Sequence, residues 1–475
     1  MKPGTGGTSA ADITSAAGSL PAVEPLHADV AVIGGGVIGH GIAWEARRSG
    51  RSVVLIDEAP GTGASWAAAG MLAPVSELHY QEEELLELML ESSALWPAFA
   101  ETLNTAQDTG QQDTGYLASP TIAVGADQAD RRTLMDLREV QQAHGLVVEP
   151  LTIRAARLRE PLLSPGISCA LEIPADHQVD PRKLVKGIAA ALSRHAPGAR
   201  TAVAGAESGY AVRDNAVGLL WDDGKVSGVR LSGGGTVLAA ETVVANGLAA
   251  ASLDGLPENL HLPLRPVYGD ILRLRVPDRL RPLLTATVRG IVRGVPVYLV
   301  PRRDGTVVIG ATQREDGQAA PSAGGVYQLL RDAQTLVPAV AELELLEATA
   351  RARPGTPDNA PLLGRVSTAK GRQSGAAGST PGAHVPGLII ATGFFRHGVL
   401  LAPAAAVICR ELMDGVEDSR WGAFRPGRFL AEQPAPVTAA GPGMAPRVPA
   451  ESGPAASNSG AASNPVIFDQ NKESA

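Results

Sequence analysis

The sequence predicts an α/β protein: a Rossmann-type dinucleotide-binding domain with a βαβ glycine turn and a mixed sheet, carrying an inserted α+β domain built on an antiparallel sheet. Three observations predict it. The apolar run Asp29–Ile33 leads straight into Gly34-Gly35-Gly36-Val37-Ile38-Gly39. Runs of the same kind return at Ser52–Ile56 and, near the other end, at Leu388–Thr392. Between them lies a long stretch rich in short apolar and alternating segments. Unbroken apolar runs bounded by turn residues suit parallel strands buried on both faces, whereas alternation suits antiparallel ones.

In chain order, Asp29–Ile33 is the first strand and Val37–Ser49 a helix that Gly50 can stop. Ser52–Ile56 is the second strand, and residues 29–57 have the size of one βαβ unit. Gly34 permits the tight turn out of the strand, Gly36 lets a pyrophosphate approach the backbone, and Gly39 lets the helix pack close to the sheet. Val37 and Ile38 open the helix, where free N–H groups and a partial positive charge face the phosphates. Asp57 closes the second strand, about 20 residues past the turn, where an acid holds the ribose hydroxyls and repels a 2′-phosphate. The turn does not separate FAD from NAD. The Pro60–Pro74 loop is small and hydroxyl-bearing, and suits either an ordinary connection or a path along a pyrophosphate and a flat ring.

An acidic, leucine-rich helix is expected over Gln81–Leu95. Strands are expected at Thr121–Val124, Ser227–Leu231, Val237–Ala245, Asp270–Val276, Val295–Pro301 and Thr306–Gly310, and a last helix over Ala402–Met413. The first 27 residues and the stretch from Glu432 to Ala475 are Gly, Ala, Ser and Pro-rich and are expected to be disordered. Thr105–Thr114 and Ser367–Pro386 read as loop insertions.

The net charge of −8 argues against nucleic acid as a partner. Two cysteines, Cys169 and Cys409, cannot build a disulfide framework or a thiolate metal cage and fit a reducing compartment. The nine histidines show no metal-binding spacing, so no metal is expected. No segment approaches the ~20 apolar residues of a membrane helix. A cytoplasmic enzyme without a membrane or nucleic-acid partner is the expectation.

DVAVIGGGVIGHGIAWEARRSG (residues 29–50) and GASWAAAGMLAP (63–74), with ARPGTPDNAPLLGR (352–365) and ATGFFRHGVLLAP (391–403), resemble the D-amino-acid oxidase family of FAD-dependent oxidoreductases, nearest the glycine oxidases of thiamine biosynthesis. The resemblance spans about Asp29 to Met413. It implies non-covalent FAD, with Cys409 inside a helix and outside any flavin-attachment context. It implies that Ser65, Ala69, Gly70, Met71 and Leu72 contact the pyrophosphate and flavin, and that Val203, on a predicted strand, meets the adenine. The Ala245-Asn246-Gly247 turn would pass near the ribityl–phosphate region. Gly393, Arg396, Gly398, Val399 and Leu400 would wrap the flavin, with the following helix aiming its positive end at it. Phe394 and His397 depart from the histidine and asparagine common in similar enzymes, and Asn246 from a small residue.

The resemblance also implies domain segments: residues 28–80, 176–252 and 350–431 for FAD, and 81–175 and 253–349 for the substrate. A substrate carboxylate calls for a guanidinium that pairs with it in bidentate fashion, and Arg353 matches the family's arginine. Tyr298 would put its hydroxyl into the same pocket, Arg396 would add positive charge, and Gln313 would border it. The implied reaction is oxidative deamination of glycine or a similar small amine to an imino acid, then to oxo acid and ammonia, with oxygen reduced to hydrogen peroxide, by a homo-oligomer such as a tetramer. Alternatives are a D-amino-acid, sarcosine or proline-type oxidase or dehydrogenase, and a flavin-binding assembly module without activity.

Overall fold

The computed structural model describes residues 24–78, 82–105, 113–194, 203–367 and 384–429. Most of both sequence tails and the centres of both expected insertions lie outside the described residues.

The chain opens with strand β1 (Leu26–Ile33), helix α1 (Val37–Arg48) and strand β2 (Val53–Ile56). Short α2 (Ala64–Ala67) and β3 (Met71–Leu72) follow, then the long helix α3 (Glu83–Thr105). A first visit to a second sheet comprises β4 (Thr121–Gly125), α4 (Gln128–Ala143), β5 (Glu149–Leu151), α5 (Ile153–Arg159) and β6 (Cys169–Ile173). Strand β7 (His177–Gln178) and helix α6 (Pro181–Arg194) lead back to β8 (Ala211–Val212), β9 (Ala216–Asp222), β10 (Lys225–Leu231) and β11 (Thr236–Val244). The second visit is β12 (Arg265–Arg275), β13 (Thr287–Val292), β14 (Val295–Pro301), β15 (Thr306–Gly310), α7 (Ala323–Leu336) and β16 (Glu344–Gly355). The chain returns through β17 (Leu362–Ser367), β18 (His384–Thr392) and α8 (Ala402–Met413).

The first sheet runs β17-β18-β11-β1-β2-β8, with β10 paired to β11 and β9 paired to β10. Its strands β18, β11, β1, β2 and β8 are parallel neighbours, and β17 is antiparallel. β1 and β2 are almost wholly apolar because both faces are covered: Val30, Val32, Val53 and Leu55 join α1, α3, α6 and α8 in one core, while Ala31, Ile33, Val54 and Ile56 join the β9–β11 meander in another. This is a Rossmann-type sheet of mixed direction.

The second sheet runs β16-β12-β15-β14-β13-β4-β6-β5 and is antiparallel at every pairing except β13 with β4. One face packs on α7 through Leu272, Leu299, Ile309, Leu329 and Leu336. The other face packs on α4 and Val75 through Ala123, Leu171 and Ile173, and on Ala69 through Ile271, Val300 and Val308.

The bounds of elements and segments differ from expectation at four places. Leu26 and His27, assigned to a disordered extension, belong to β1 and pair with Val237 and Leu238, so backbone pairing extends past the apolar run. α3 reaches Thr105 with Pro97 inside it. Its Leu88, Met89, Trp96 and Leu103 share a core with α1 and α8, which places it on the first sheet although it opens the segment 81–175. β16 stays in the second sheet as far as Gly355, past the expected boundary at 349/350, because each residue from Thr349 to Gly355 keeps a partner on β12.

Candidate active site

The parallel strands β1, β2, β11 and β18 end along one edge, and ligands of open α/β sheets bind at such carboxyl edges. Gly34 lies there with φ +108°, and its N–H donates to Ile56 O at 2.9 Å. A Cβ on Gly34 would fall 2.5 Å from Ala245 O, and one on Gly39 would overlap the Gly34 carbonyl, so both positions require glycine. Gly36 is the N-cap of α1 and no side chain caps it. A Cβ there would meet only Ser65 Oγ, at 3.4 Å, so the backbone is open to a ligand. The first intrahelical bond runs from His40 N to Gly36 O, which leaves the N–H groups of Val37, Ile38 and Gly39 without an acceptor inside the helix. Val37 N–H donates to Ser65 Oγ at 2.9 Å. Asp57 accepts Gly35 N–H at 2.6 Å and Ala59 N–H at 2.8 Å, and a carboxylate with two such bonds keeps further lone pairs for hydroxyl donors. This uncapped helix start, open glycine and neighbouring acid fit a dinucleotide.

α8 begins at the same edge. Gly41 of α1 packs on its first turn, where a Cβ would lie 3.4 Å from Ala402 O. The loop ahead of α8 starts at Gly393, with φ +74°, and ends at Gly398, Val399 and Leu400. The Leu400 carbonyl accepts bonds from Ser92 Oγ (2.7 Å) and Trp96 Nε1 (2.9 Å), so α3 holds the turn that presents the positive end of α8. Phe394 and His397, within this loop, are buried, and Asn246 is the N-cap of a short 3-10 turn after β11.

The Ala69-Gly70-Met71 segment bridges the two sheets. Gly70 has φ +73°, and a Cβ on it would overlap Val179 O and lie 2.7 Å from Pro181 Cδ. Arg302 at the end of β14 donates to Ala69 O, to Gln178 Oε1 at 3.0 Å and to Val179 O at 2.9 Å. Burial pushes the Arg302 pKa down to about 10, which still leaves it charged at neutral pH. Ala69 and Met71 then rest on Ile271, Tyr298, Val300 and Val308 of the second sheet. Nearby, Arg182 stacks 3.6 Å over Trp66 and binds both oxygens of Glu347 on β16.

Residues paired across a sheet share a face. Thr349, Ile271, Gly310, Tyr298 and Arg289 form one such row through β16, β12, β15, β14 and β13, and Arg353 stands four residues beyond Thr349 on the same face. The Arg353 guanidinium lies over Gly269 and the Tyr298 phenol over Gly310. Nη1 of Arg353 donates to Thr312 O at 3.5 Å, and among the described residues no carboxylate lies within ion-pair distance of it. Burial raises the Tyr298 pKa, keeping the phenol neutral. The end of β16 meets the Gly393–Leu400 loop directly: Phe395 N–H donates to Pro354 O at 3.0 Å. The structure therefore brings Arg353, Tyr298, Met71 and the Gly393–Leu400 loop to one place. Gln313 is exposed.

Arg396 is in the same place but is already paired, with Glu77 at 2.9 Å and with Glu82. Glu77 also accepts a bond from Arg289. Burial opposes a charge on Glu77, but Arg289 and Arg396 outweigh it and hold the carboxyl well below the usual range. Asp176 supports the turn carrying Glu77, accepting Val75 and Ser76 N–H at 3.0 and 3.1 Å, and burial pushes its pKa up to about 6. Sequence reasoning missed Glu77, Arg289, Asp176 and Arg302, since none stands in a motif and their spacing in sequence is wide.

Val203 is not on a strand. It sits in a turn, its N–H donates to Gly209 O at 3.0 Å, and its side chain is buried. The strand beside β2 is β8: Asp57 N–H donates to Val212 O at 3.1 Å, and Asn215 Nδ2 donates to Glu58 Oε2 at 2.5 Å. Ala-Val recurs at 202–203, 211–212 and 216–217, and only pairing with β2 distinguishes them. Among the described residues no cluster of His, Cys, Asp or Glu could hold a metal. Both cysteines are free and buried, and burial raises the Cys409 pKa to about 12.

Comparison with known proteins agrees with this geometry. Residues 29–412 match the model of a family described as FAD dependent oxidoreductase, DAO. The chain is 33% identical over 394 residues to a glycine oxidase of Geobacillus kaustophilus, covering 82% of this chain and 93% of that protein. It is 30% identical over 406 residues to the bifunctional protein ThiO/ThiG of Trichormus variabilis, covering 84% of this chain and 55% of that one. The crystal structure of the Geobacillus kaustophilus glycine oxidase superposes with a TM-score of 0.71 at 30% identity, covering 86% of this chain and 100% of that one.

Proposed function

The chain belongs to the DAO family of FAD-dependent oxidoreductases, and on that premise we propose that it deaminates glycine or a similarly small amino acid or amine oxidatively, with oxygen as electron acceptor and hydrogen peroxide as product. Gly34, Gly36, Val37, Ile38, Gly39 and Ser65 would hold the FAD pyrophosphate, and Asp57 the adenosine ribose. The Val212–Asn215 stretch, which borders Asp57, would meet the adenine in place of Val203. Ala69, Gly70, Met71 and the Gly393, Gly398, Val399 and Leu400 loop would line the ring, without a covalent link. FAD, when bound, takes two electrons and a hydrogen from the substrate carbon and returns them to oxygen.

The observation that carries the reading is Arg353: a guanidinium without a carboxylate partner among the described residues, on the face shared with Tyr298 and beside the loop after β18. It would clamp the substrate carboxylate through parallel N–H bonds. Tyr298, kept neutral by burial, would donate its O–H to the substrate. Binding energy at the carboxylate is thereby used to orient the Cα–H bond. Arg396, committed to Glu77 and Glu82, positions the loop and does not take the carboxylate.

The product imino acid hydrolyses to glyoxylate and ammonia, or serves as the glycine imine for thiazole formation in thiamine biosynthesis, a role supported by the ThiO/ThiG relative. No helix of the described residues is long and apolar enough to cross a membrane, and we place the enzyme in the cytoplasm as a homo-oligomer. The test is peroxide release by the FAD-loaded protein with glycine, sarcosine and D-alanine. Peroxide with at least one of them, lost on Arg353→Met, is expected; bleaching of the flavin by substrate without peroxide points to a dehydrogenase.

A further inference from the structure

Three arginines gather on the substrate side of the second sheet: Arg353 on β16, Arg289 on β13 and Arg396 in the loop after β18. Arg289 and Arg396 share the Glu77 carboxylate, one on each oxygen, and Arg396 also holds Glu82. Glu77 is the one carboxylate within ion-pair distance of Arg289 among the described residues. Both side chains are largely buried, Arg289 at 17% exposure and Glu77 at 12%. Tyr298 stands directly opposite Arg289 on the neighbouring strand and lies within electrostatic reach of both Arg289 and Arg353. Of the three arginines, Arg353 alone has no carboxylate within ion-pair distance among the described residues.

We propose that Glu77 is a specificity-determining residue: by occupying Arg289 it restricts the pocket to amines bearing one carboxylate and excludes those bearing two. A second substrate carboxylate would have to displace Glu77 from Arg289 and would stay beside it. Like charges in a poorly solvated site repel strongly, and a guanidinium already paired offers nothing in return. With the Glu77 charge removed, Arg289 becomes a second carboxylate anchor, at a distance from Arg353 set by the sheet. The inference rests on the amino-acid oxidase reading.

The test is calorimetric titration of the FAD-loaded full chain with acetate and with iminodiacetate. Glu77→Gln keeps the side-chain shape and removes its charge. The ratio of the two dissociation constants is expected to shift about tenfold or more toward iminodiacetate, with FAD content and melting temperature recorded alongside. Arg289→Gln, which leaves Glu77 facing the pocket with one arginine fewer, is expected to weaken acetate several-fold without gain for iminodiacetate. An unchanged ratio in folded Glu77→Gln overturns the proposal. If that variant does not fold, acetate binding unaffected by Arg289→Gln overturns it. Acetate binding that survives Arg353→Met defeats the assignment of the carboxylate site itself, a different failure from an unshifted ratio.

Discussion

The guanidinium of Arg353 occupies space that exists only because position 269 lacks a side chain: a Cβ on Gly269 would lie 2.6 Å from Arg353 Cζ. Gly269→Ala should push the guanidinium out of its seat while leaving its charge. The expected result is a rise in KM for glycine of at least tenfold with a much smaller change in kcat, because uniform binding is lost first. Steady-state kinetics at saturating oxygen checks this.

Arg353→Met removes the carboxylate anchor altogether. Charge-assisted bidentate pairs in buried sites are worth roughly 2–5 kcal/mol, so kcat/KM should fall by about two to three orders of magnitude while visible absorbance of bound flavin is retained. Loss of both together would mean that Arg353 acts on cofactor binding instead.

Gly70 combines a left-handed φ with close contact to Val179 O and Pro181. Gly70→Ala therefore meets both backbone strain, about 1–3 kcal/mol, and overlap. The variant should melt several degrees lower and purify with less FAD, read from the ratio of visible to ultraviolet absorbance.

Asp57→Asn should weaken FAD about tenfold, since hydroxyl bonds to a charged acceptor are replaced by weaker neutral ones. Fluorescence titration of the apoprotein measures it, and unchanged affinity would remove Asp57 from the ribose site.

Asp176 gives a pH signature. Its folded-state pKa, about 6, is above the ordinary 3.8 because of burial. Below about pH 4 both folded and unfolded states are protonated at this group. Between about pH 4 and 6 the folded state binds more protons, so this group's contribution to stability declines as pH rises. Asp176→Asn should flatten that decline. The melting-temperature difference between variant and parent should move in the variant's favour from pH 4 to pH 6.5, and a constant difference would refute the assignment.

The first βαβ unit, its glycines and Asp57 were legible in the chain because they are local: strand, turn and helix lie within residues 29–57, and Gly39 answers a steric demand from Gly34 in the same turn. The strands Val295–Pro301 and Thr306–Gly310 and the helix Ala402–Met413 were readable for the same reason. Arg353 and Tyr298 were reached through family likeness and not through pattern. Tertiary structure alone decided which arginine is available. Glu77, Glu82, Arg289 and Arg396 are scattered along the chain, and their mutual pairing appears only when β13, the turn after β3, the start of α3 and the loop after β18 converge. Likewise, which Ala-Val pair borders Asp57 depends on hydrogen-bond register with β2. Local sequence sets dihedral preference and periodicity. Electrostatic pairing between distant segments depends on distance in space, which no single segment encodes.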